Sequence, residues 1–478
     1  MTIDAEIDRT ESSLAGDDLE QVHQRALESR ALKGTYFVVL FYGASMALRM
    51  VSSVVLTHFF APELFGLMAL VTTFIVGLTL FSHIGLEDSI IQNPRGDDEI
   101  FLNTAWTIQT IRGTGIFVTT LLLAWPAAQL YHDPRWIYLL PILGFGCVIA
   151  GFSSPNLLML SRHLGVGRLS TLELATQFVL FASTVLCAIY WTRTVWALAF
   201  GRIVSELFRT IWSYWIAGKH GGYRPRFVLE RKAIHALVTF GRWILIGTVL
   251  TFLAQQSDRL ILSKLTTYTM LGIYNIAFQL SDVPRQVILM FSSKVGFPFI
   301  AKLAHKPRPE FRAVLIKYRG MVLIAGAVLL TITICVGDIF IRLVYDARYQ
   351  QASWMIALLA LGLWHTLLYS TVTPAILSLQ KAHYNAVANL LYFIALCILL
   401  PTGFHYFGMV GAVGAVAISD LPMYFVNLYA SYRQGLGMLR QDLLMTLSFF
   451  ALLTLGLTIR HLCGIGFPFP PLAHAPIF

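Results

Sequence analysis

Stretches of about 20 or more mostly apolar residues recur along the whole chain. They fall at 34–60, 65–86, 101–130, 136–161, 168–191, 194–217, 234–263, 268–300, 311–344, 353–380, 383–405, 408–432 and 441–461. About 20 helical residues span the hydrocarbon core of a bilayer. In lipid, every backbone polar group of such a segment must be bonded internally, which leaves helices as the reading for runs this long. The chain is therefore expected to be an all-α polytopic membrane protein with thirteen spans. Composition agrees: 13% of the 478 residues are charged and 56% are hydrophobic, against about 25% charged in a typical soluble domain. Pro155, Pro284, Pro374 and Pro422 fall inside spans and predict bends. Pro62, Pro94, Pro134, Pro307 and Pro401 are assigned to connections.

Lys and Arg in the connections set the orientation. With the N-terminus cytoplasmic, 22 of them lie inside and six outside, the six being Arg135, Arg193, Lys264, Arg342, Arg348 and Arg460. That bias accounts for much of the net charge of +10 without a nucleic-acid partner. An N-terminal cytoplasmic segment, 1–33, is expected to hold a helix capped by Asp17 or Asp18. The five cysteines form no CxxC or other metal-ligand spacing and read as small buried hydrophobes. No metal site and no cofactor are expected.

The seventh span repeats the first. At a constant offset of 206, Leu56–Phe74 lies over Leu262–Leu280 without a gap, so that Gly66 meets Gly272 and Leu67 meets Ile273. Six spans per unit is an even number, so both copies share one orientation. This predicts two parallel six-helix bundles, 34–217 and 241–432, around a central cavity. A cytoplasmic linker, 218–240, joins them, with an amphipathic helix over 228–237, and one or two extra C-terminal helices occupy 433–478.

Of the 35 Lys and Arg, 28 are assigned to connections and span ends, and the seven that remain deeper in spans are all arginine: Arg49, Arg112, Arg202, Arg209, Arg242, Arg259 and Arg285. An arginine near the bilayer centre costs roughly 2.5–3.5 kcal/mol on insertion scales. Its planar fork keeps its charge at any accessible pH and suits phosphate oxygens bidentately. Arg209 and Arg242, near inner span ends, either snorkel or line a cavity, and Arg259 is expected to pair with Asp258. Arg202, Glu206 and Arg209 form one helical stripe, either a self-neutralised network or a cavity wall. Arg285 has Asp282 at i−3, whereas Arg49 and Arg112 have no acid within helical reach. Arg49, Arg285, Arg112 and Arg202 are the candidate anion-binding set. Asp282, Asp420 and Glu206 are either coupling-ion sites, for H+ or Na+, or counter-ions for the arginines. Tyr42, Trp106 and Trp364 are candidates for lining a sugar path.

The chain has no GxxxxGK[ST] phosphate loop, and no connection is long enough to hold a catalytic pocket, so an enzyme is not expected. The stretches "THFFAPELFGLMALV", "HIGLEDSIIQ" and "QQSDRLILSKLTTYTMLGIYNIAFQLSDVPRQVILMFSSKVGFPFI" resemble polysaccharide transporters of the multidrug/oligosaccharidyl-lipid/polysaccharide exporter superfamily. The resemblance implies a Wzx-type flippase that carries an undecaprenyl-diphosphate-linked oligosaccharide across the bacterial inner membrane by alternating access. The product would feed an exopolysaccharide or lipopolysaccharide, with a polymerase and export machinery as partners. Related murein lipid flippases use cavity arginines on the first and eighth spans, where Arg49 and Arg285 lie. The alternatives are a drug or cation antiporter of the same fold, and a membrane glycosyltransferase or ligase acting on the same lipid.

Overall fold

The computed structural model describes residues 40–83, 85–86, 89–90, 93–162, 166–215, 225–292, 300 and 307–469. The expected N-terminal helix and the last nine residues lie outside that set. Among the described residues, one main helix follows each of the thirteen apolar stretches. These helices are α1 (Leu40–Phe59), α2 (Pro62–Phe81), α3 (Glu99–Tyr131), α4 (Trp136–Gly151), α5 (Val166–Tyr190), α6 (Val195–Trp215) and α7 (Arg231–Leu265). α8 (Tyr268–Ser281) is followed by α9 (Arg308–Val344) and α10 (Ala352–Ser370). The segment His383–Ile418 is two helices run together, α11 and α12, because Phe407 and Gly408 leave helical conformation. Gly408 takes a positive φ of 56°, and the Gly403 and Gly411 backbones then touch, which only a reversal of direction allows. α13 is Leu439–Leu462. Eight of the described helices are long and apolar enough to cross a membrane by length and composition alone, counting His383–Arg433 once.

Three of the four bending prolines lie in the first turn of a new helical segment and the fourth immediately precedes one, where a missing N–H costs nothing. Pro155 precedes the short helix Asn156–Arg162, and Pro284 opens Val283–Phe291, which continues α8. Pro374 opens Thr373–Ser378 after α10, and Pro422 opens Leu421–Arg433, which continues α12. Pro401 departs from expectation: it lies inside α11, and the turn comes at Phe407–Gly408. The amphipathic segment is not a separate helix either, since α7 runs unbroken from Arg231 to Leu265. Before it, the extended 225–230 stretch lies along α3, where Arg226, Val228 and Glu230 donate backbone N–H bonds to Asn103, Thr107 and Thr104 at 2.6, 3.1 and 3.1 Å. Polar side chains buried on α3 thereby satisfy backbone that would otherwise need water.

α1 to α6 supply one half, in which α3 packs on α4 and α5 on α6; in the other, α9 packs on α10 and α7 on α11. The halves meet mainly where α2 crosses α8. There the sequence repeat becomes a contact: a methyl on Gly66 would collide with the Tyr268 carbonyl, and one on Gly272 with the Pro62 carbonyl. Positions 206 apart that face each other in this reciprocal way lie on a pseudo-two-fold axis.

Two connections repeat one pattern on the same face. Asp133-Pro134-Arg135-Trp136 joins α3 to α4, and Asp346-Ala347-Arg348-Tyr349 joins α9 to α10. In each, the arginine N–H and Nε bond the aspartate two residues earlier, at 2.9 and 3.0 Å in the first and 2.9 and 2.8 Å in the second. The aromatic residue then reaches the other half: Trp136 Nε1 donates to Tyr268 Oη at 3.2 Å, and Tyr349 Oη donates to the Phe60 carbonyl at 2.9 Å. The hydrogen bonds from Arg348 hold the Asp346 carboxyl below its ordinary pKa.

α13 is stapled to α9 at both ends. Arg319 of α9 pairs with Asp442 of α13 at 2.5 Å, and Asp338 of α9 pairs with Arg460 of α13 at 2.6 Å. Arg319, counted among the 22 inner basic residues, and Arg460, counted among the six outer ones, are both buried inside the helical layer. Removing each from its side leaves 21 inside and five outside, the same sign of bias. The two pairs are separated by about 29 Å along α9 at 1.5 Å per residue, close to the thickness of the hydrocarbon core.

Candidate functional site

The break in α8 organises the first group of charges. Asp282 ends the helix, and Pro284 in the next turn lacks the N–H that would bond one turn back, while Gln286 N–H bonds the Asp282 carbonyl at 3.0 Å. Arg285, three residues on, lies over Asp282 and donates to it from both Nε and Nη2. Gln286 also donates to Asp282 Oδ2, at 3.0 Å, and its Oε1 accepts from Arg49 Nη1 at 3.5 Å. With its amide turned so that nitrogen and oxygen each meet a complementary group, Gln177 of α5 donates to the Ser45 carbonyl at 3.0 Å and accepts from Arg49 Nη2 at 3.2 Å. Arg49 thus bridges α1, α5 and the continuation of α8 through neutral amides, and has no carboxylate partner among the described residues. Tyr42 lies within electrostatic reach of Arg49, Asp282 and Arg285.

Asp282 and Arg285 open onto a polar cavity of about 260 Å³ inside the second half. Asp258, Arg259, Tyr392 and Asp420 line it as well. Asp420 is bonded not by an arginine but by His365 and Thr366 of α10. Asp258 and Arg259 do not pair, because neighbours on a helix point about 100° apart. Asp258 accepts from Tyr274 Oη at 2.7 Å, while Arg259 bonds Gln256 at 2.6 Å and lies over the Phe278 ring.

The second group sits in the first half, in a cavity of about 370 Å³ between α2, α3, α4 and α6. Arg112, Arg202, Glu206 and Arg209 all line it. Arg202 reaches Glu206 at 3.4 Å. Arg112 has no carboxylate within ion-pair distance among the described residues, so this cavity carries an excess of positive charge.

The candidate set thus divides. Arg49, Arg285, Asp282 and Asp420 gather at or beside the second half's cavity, and Arg112, Arg202 and Glu206 line the first half's. The Arg242 side chain lies outside the described residues. Trp364 stacks on Phe449 at 4.4 Å and bonds Thr446, and Trp106 packs between Phe152 and Phe227. Both are buried among these contacts. The sequence reading missed His365, although a histidine in an apolar span is itself a signal. It also missed Gln177 and Gln286, whose neutral amides give no charge signal. Among the described residues no group of three or more His, Cys, Asp or Glu is placed to hold a metal.

Two repeated bundles meeting on a pseudo-two-fold, with charged cavities within the membrane layer, define a multi-pass membrane transporter fold. The chain belongs to the polysaccharide biosynthesis protein family, whose model matches residues 55–354. It is 22% identical over 248 residues to the amylovoran biosynthesis protein AmsL of Erwinia amylovora, covering 52% of this chain and 63% of that one. It is 22% identical over 278 residues to the lipopolysaccharide biosynthesis protein WzxC of Escherichia coli, covering 58% and 56%. The chain therefore spans less than two thirds of the length of these relatives. An inward-facing multidrug resistance MATE family transporter of the MOP superfamily shares the fold, with a TM-score of 0.64 at 12% identity over 82% of this chain and 95% of that one. So does the lipid II flippase MurJ in an inward closed conformation, with a TM-score of 0.61 at 12% identity over 93% and 100%.

Proposed function

We propose that this protein flips a polyprenyl-diphosphate-linked oligosaccharide, of the undecaprenyl class, across the bacterial inner membrane, with its N-terminus cytoplasmic. One observation carries the reading: Arg49 stands in a membrane span with amides as its only described partners. A charge so placed persists where an anion or water compensates it. The diphosphate of a lipid-linked sugar supplies that compensation through charge-assisted, bidentate bonds. The family and the names of the relatives support a polysaccharide precursor as the cargo. Transport would proceed by rocking of the halves about the α2–α8 crossing. Coupling to H+ or Na+ would act through Asp420 and its partner His365. No acid lies on α1, which disfavours a cationic drug as cargo. A polysaccharide polymerase and export machinery would take the product.

The test is flipping of a fluorescent undecaprenyl-diphosphate oligosaccharide in proteoliposomes, comparing wild type with Arg49→Ala. Removing one hydrogen bond to a charged group costs about 1.5–3 kcal/mol, so the variant should flip roughly 10- to 100-fold more slowly. A variant reconstituted to the same level and flipping at the wild-type rate would make Arg49 a structural charge and remove the ground for this reading.

A further inference from the structure

Beside the Arg112 cavity, on the far side of the same helices, lies an apolar cleft of about 730 Å³. Five of its eleven lining residues are aromatic: Phe117, Phe145, Trp191, Trp196 and Phe200. Both spaces fall in the range of small-ligand sites, roughly 300–1,000 Å³. They lie back to back. Adjacent residues turn opposite ways on three helices: Ile116 and Phe117 on α3, Gly146 and Phe145 on α4, Arg202 and Ile203 on α6, the first of each lining the charged cavity and the second the cleft.

At the α4–α6 crossing, Gly146 packs against Ile203 between them. A methyl placed on Gly146 would meet Ile203 Cδ1 at 3.4 Å and Glu206 Cγ at 3.9 Å. Ile203 packed on a glycine therefore closes the α4–α6 crossing between the arginines and the aromatic cleft. The two spaces also occupy different depths. The charged cavity reaches Leu80, Gly151 and Arg209, towards the ends of α2, α4 and α6 that are expected at the cytoplasmic side. The cleft reaches Trp191, Thr192 and Trp196, at the opposite membrane edge.

We propose that these two spaces form one amphiphile site: the phosphates of an inner-leaflet lipid beside Arg112, and its long apolar chain in the aromatic cleft, threaded past Gly146 and Ile203. An inner-leaflet lipid has this orientation, with its head inward and its chain directed to the midplane and beyond. Arg112, without a carboxylate, is the charge such a head would satisfy. The identity of the occupant, the polyprenyl chain of the transported lipid, rests on the function proposed above.

The experiment is photo-crosslinking in proteoliposomes with an undecaprenyl diphosphate bearing a diazirine in its chain, mapped by mass spectrometry, alongside a flipping assay. Phosphatidylglycerol bearing the same group is the comparison lipid. Labelling should concentrate on the α4 and α6 peptides carrying Phe145 and Phe200. Arg112→Ala should lower it about tenfold or more, the loss of one hydrogen bond to a charged group. Gly146→Leu should block the passage, while Gly146→Ala, whose methyl makes an ordinary contact, should label as wild type. Equal labelling by phosphatidylglycerol, or labelling elsewhere in a protein that still flips its lipid, would overturn the site and leave the function standing. A wild type that neither flips nor labels would remove both.

Discussion

Replacing Asp442 with alanine should destabilise this protein severely, by an amount the structure allows to be estimated. Arg319 has 0% and Asp442 3% side-chain exposure, and their atoms lie 2.5 Å apart. At an effective dielectric of 20 the Coulomb attraction at that distance is about 6–7 kcal/mol, most of it offset by the desolvation of both groups. What Asp442→Ala removes is compensation of a charge that stays buried, and such losses run at about 3–5 kcal/mol. Arg319 would keep bonds to Thr371 at 2.9 Å, Gln441 at 3.1 Å and the Leu368 carbonyl at 2.8 Å. Those neutral acceptors place the expected cost near the low end, about 3 kcal/mol, still a large part of a typical stability of about 5–15 kcal/mol. The double variant Arg319→Met with Asp442→Leu removes both charges and should recover most of the loss. Thermal unfolding of the purified protein in detergent measures all three. A single variant melting with wild type, or a double variant no better than the single, would refute the staple.

Two further outcomes follow from the fold. Gly66→Ala should lower the unfolding temperature, because its methyl meets the Tyr268 carbonyl, a backbone atom that cannot swing aside; overpacking of this kind costs about 1–3 kcal/mol. Gly115→Ala, with no atom within 4 Å of the added methyl, should melt as wild type, and equal melting of the two variants would argue against a tight α2–α8 crossing. The second outcome concerns pH. Hydrogen bonds from Arg95 and Arg348 hold the Asp98 and Asp346 carboxyls below their ordinary pKa. A carboxylate lowered on folding stabilises fully above its unfolded pKa, about 3.9, and loses that contribution as pH falls through the folded value. Unfolding temperature should therefore respond to these two groups only below about pH 4, and Asp346→Asn should flatten part of that acid limb.

The architecture was largely legible because membrane insertion writes it into local composition. Thirteen apolar runs became thirteen helices, and four prolines marked four helix restarts, since both signals act within a few residues. The repeat was legible for a different reason. Gly66 and Gly272 were aligned on an offset alone, and they touch because a parallel two-fold brings equivalent positions together only at its axis. Arg319 and Arg460 were misplaced because they sit at the edges of apolar runs, where sequence distinguishes poorly between a charge at the membrane surface and one buried between helices. Their partners, Asp442 and Asp338, are more than 120 positions away in the chain, and no periodicity within one helix reveals a partner on another. Asp258 and Arg259 were mispaired by adjacency, which on a helix separates side chains rather than joining them.

The same distinction sorts the membrane arginines by what they can still do. Arg319 and Arg460 are saturated by buried carboxylates and backbone or amide oxygens, so another anion would have to displace partners already in place. Arg285 and Arg202 hold carboxylates on their own helical segments, at i−3 and i+4, and remain partly accessible. Arg49 and Arg112 hold none among the described residues. The Arg49–Gln286 contact at 3.5 Å is at the limit of a hydrogen bond, and an amide oxygen is a weaker acceptor than a phosphate. A diphosphate entering beside α1 would therefore compete well for this fork, whereas it would gain little from Arg319. Sequence placed all these charges in or near the membrane; only the partner each one keeps separates the arginines that hold helices together from those left to hold something else.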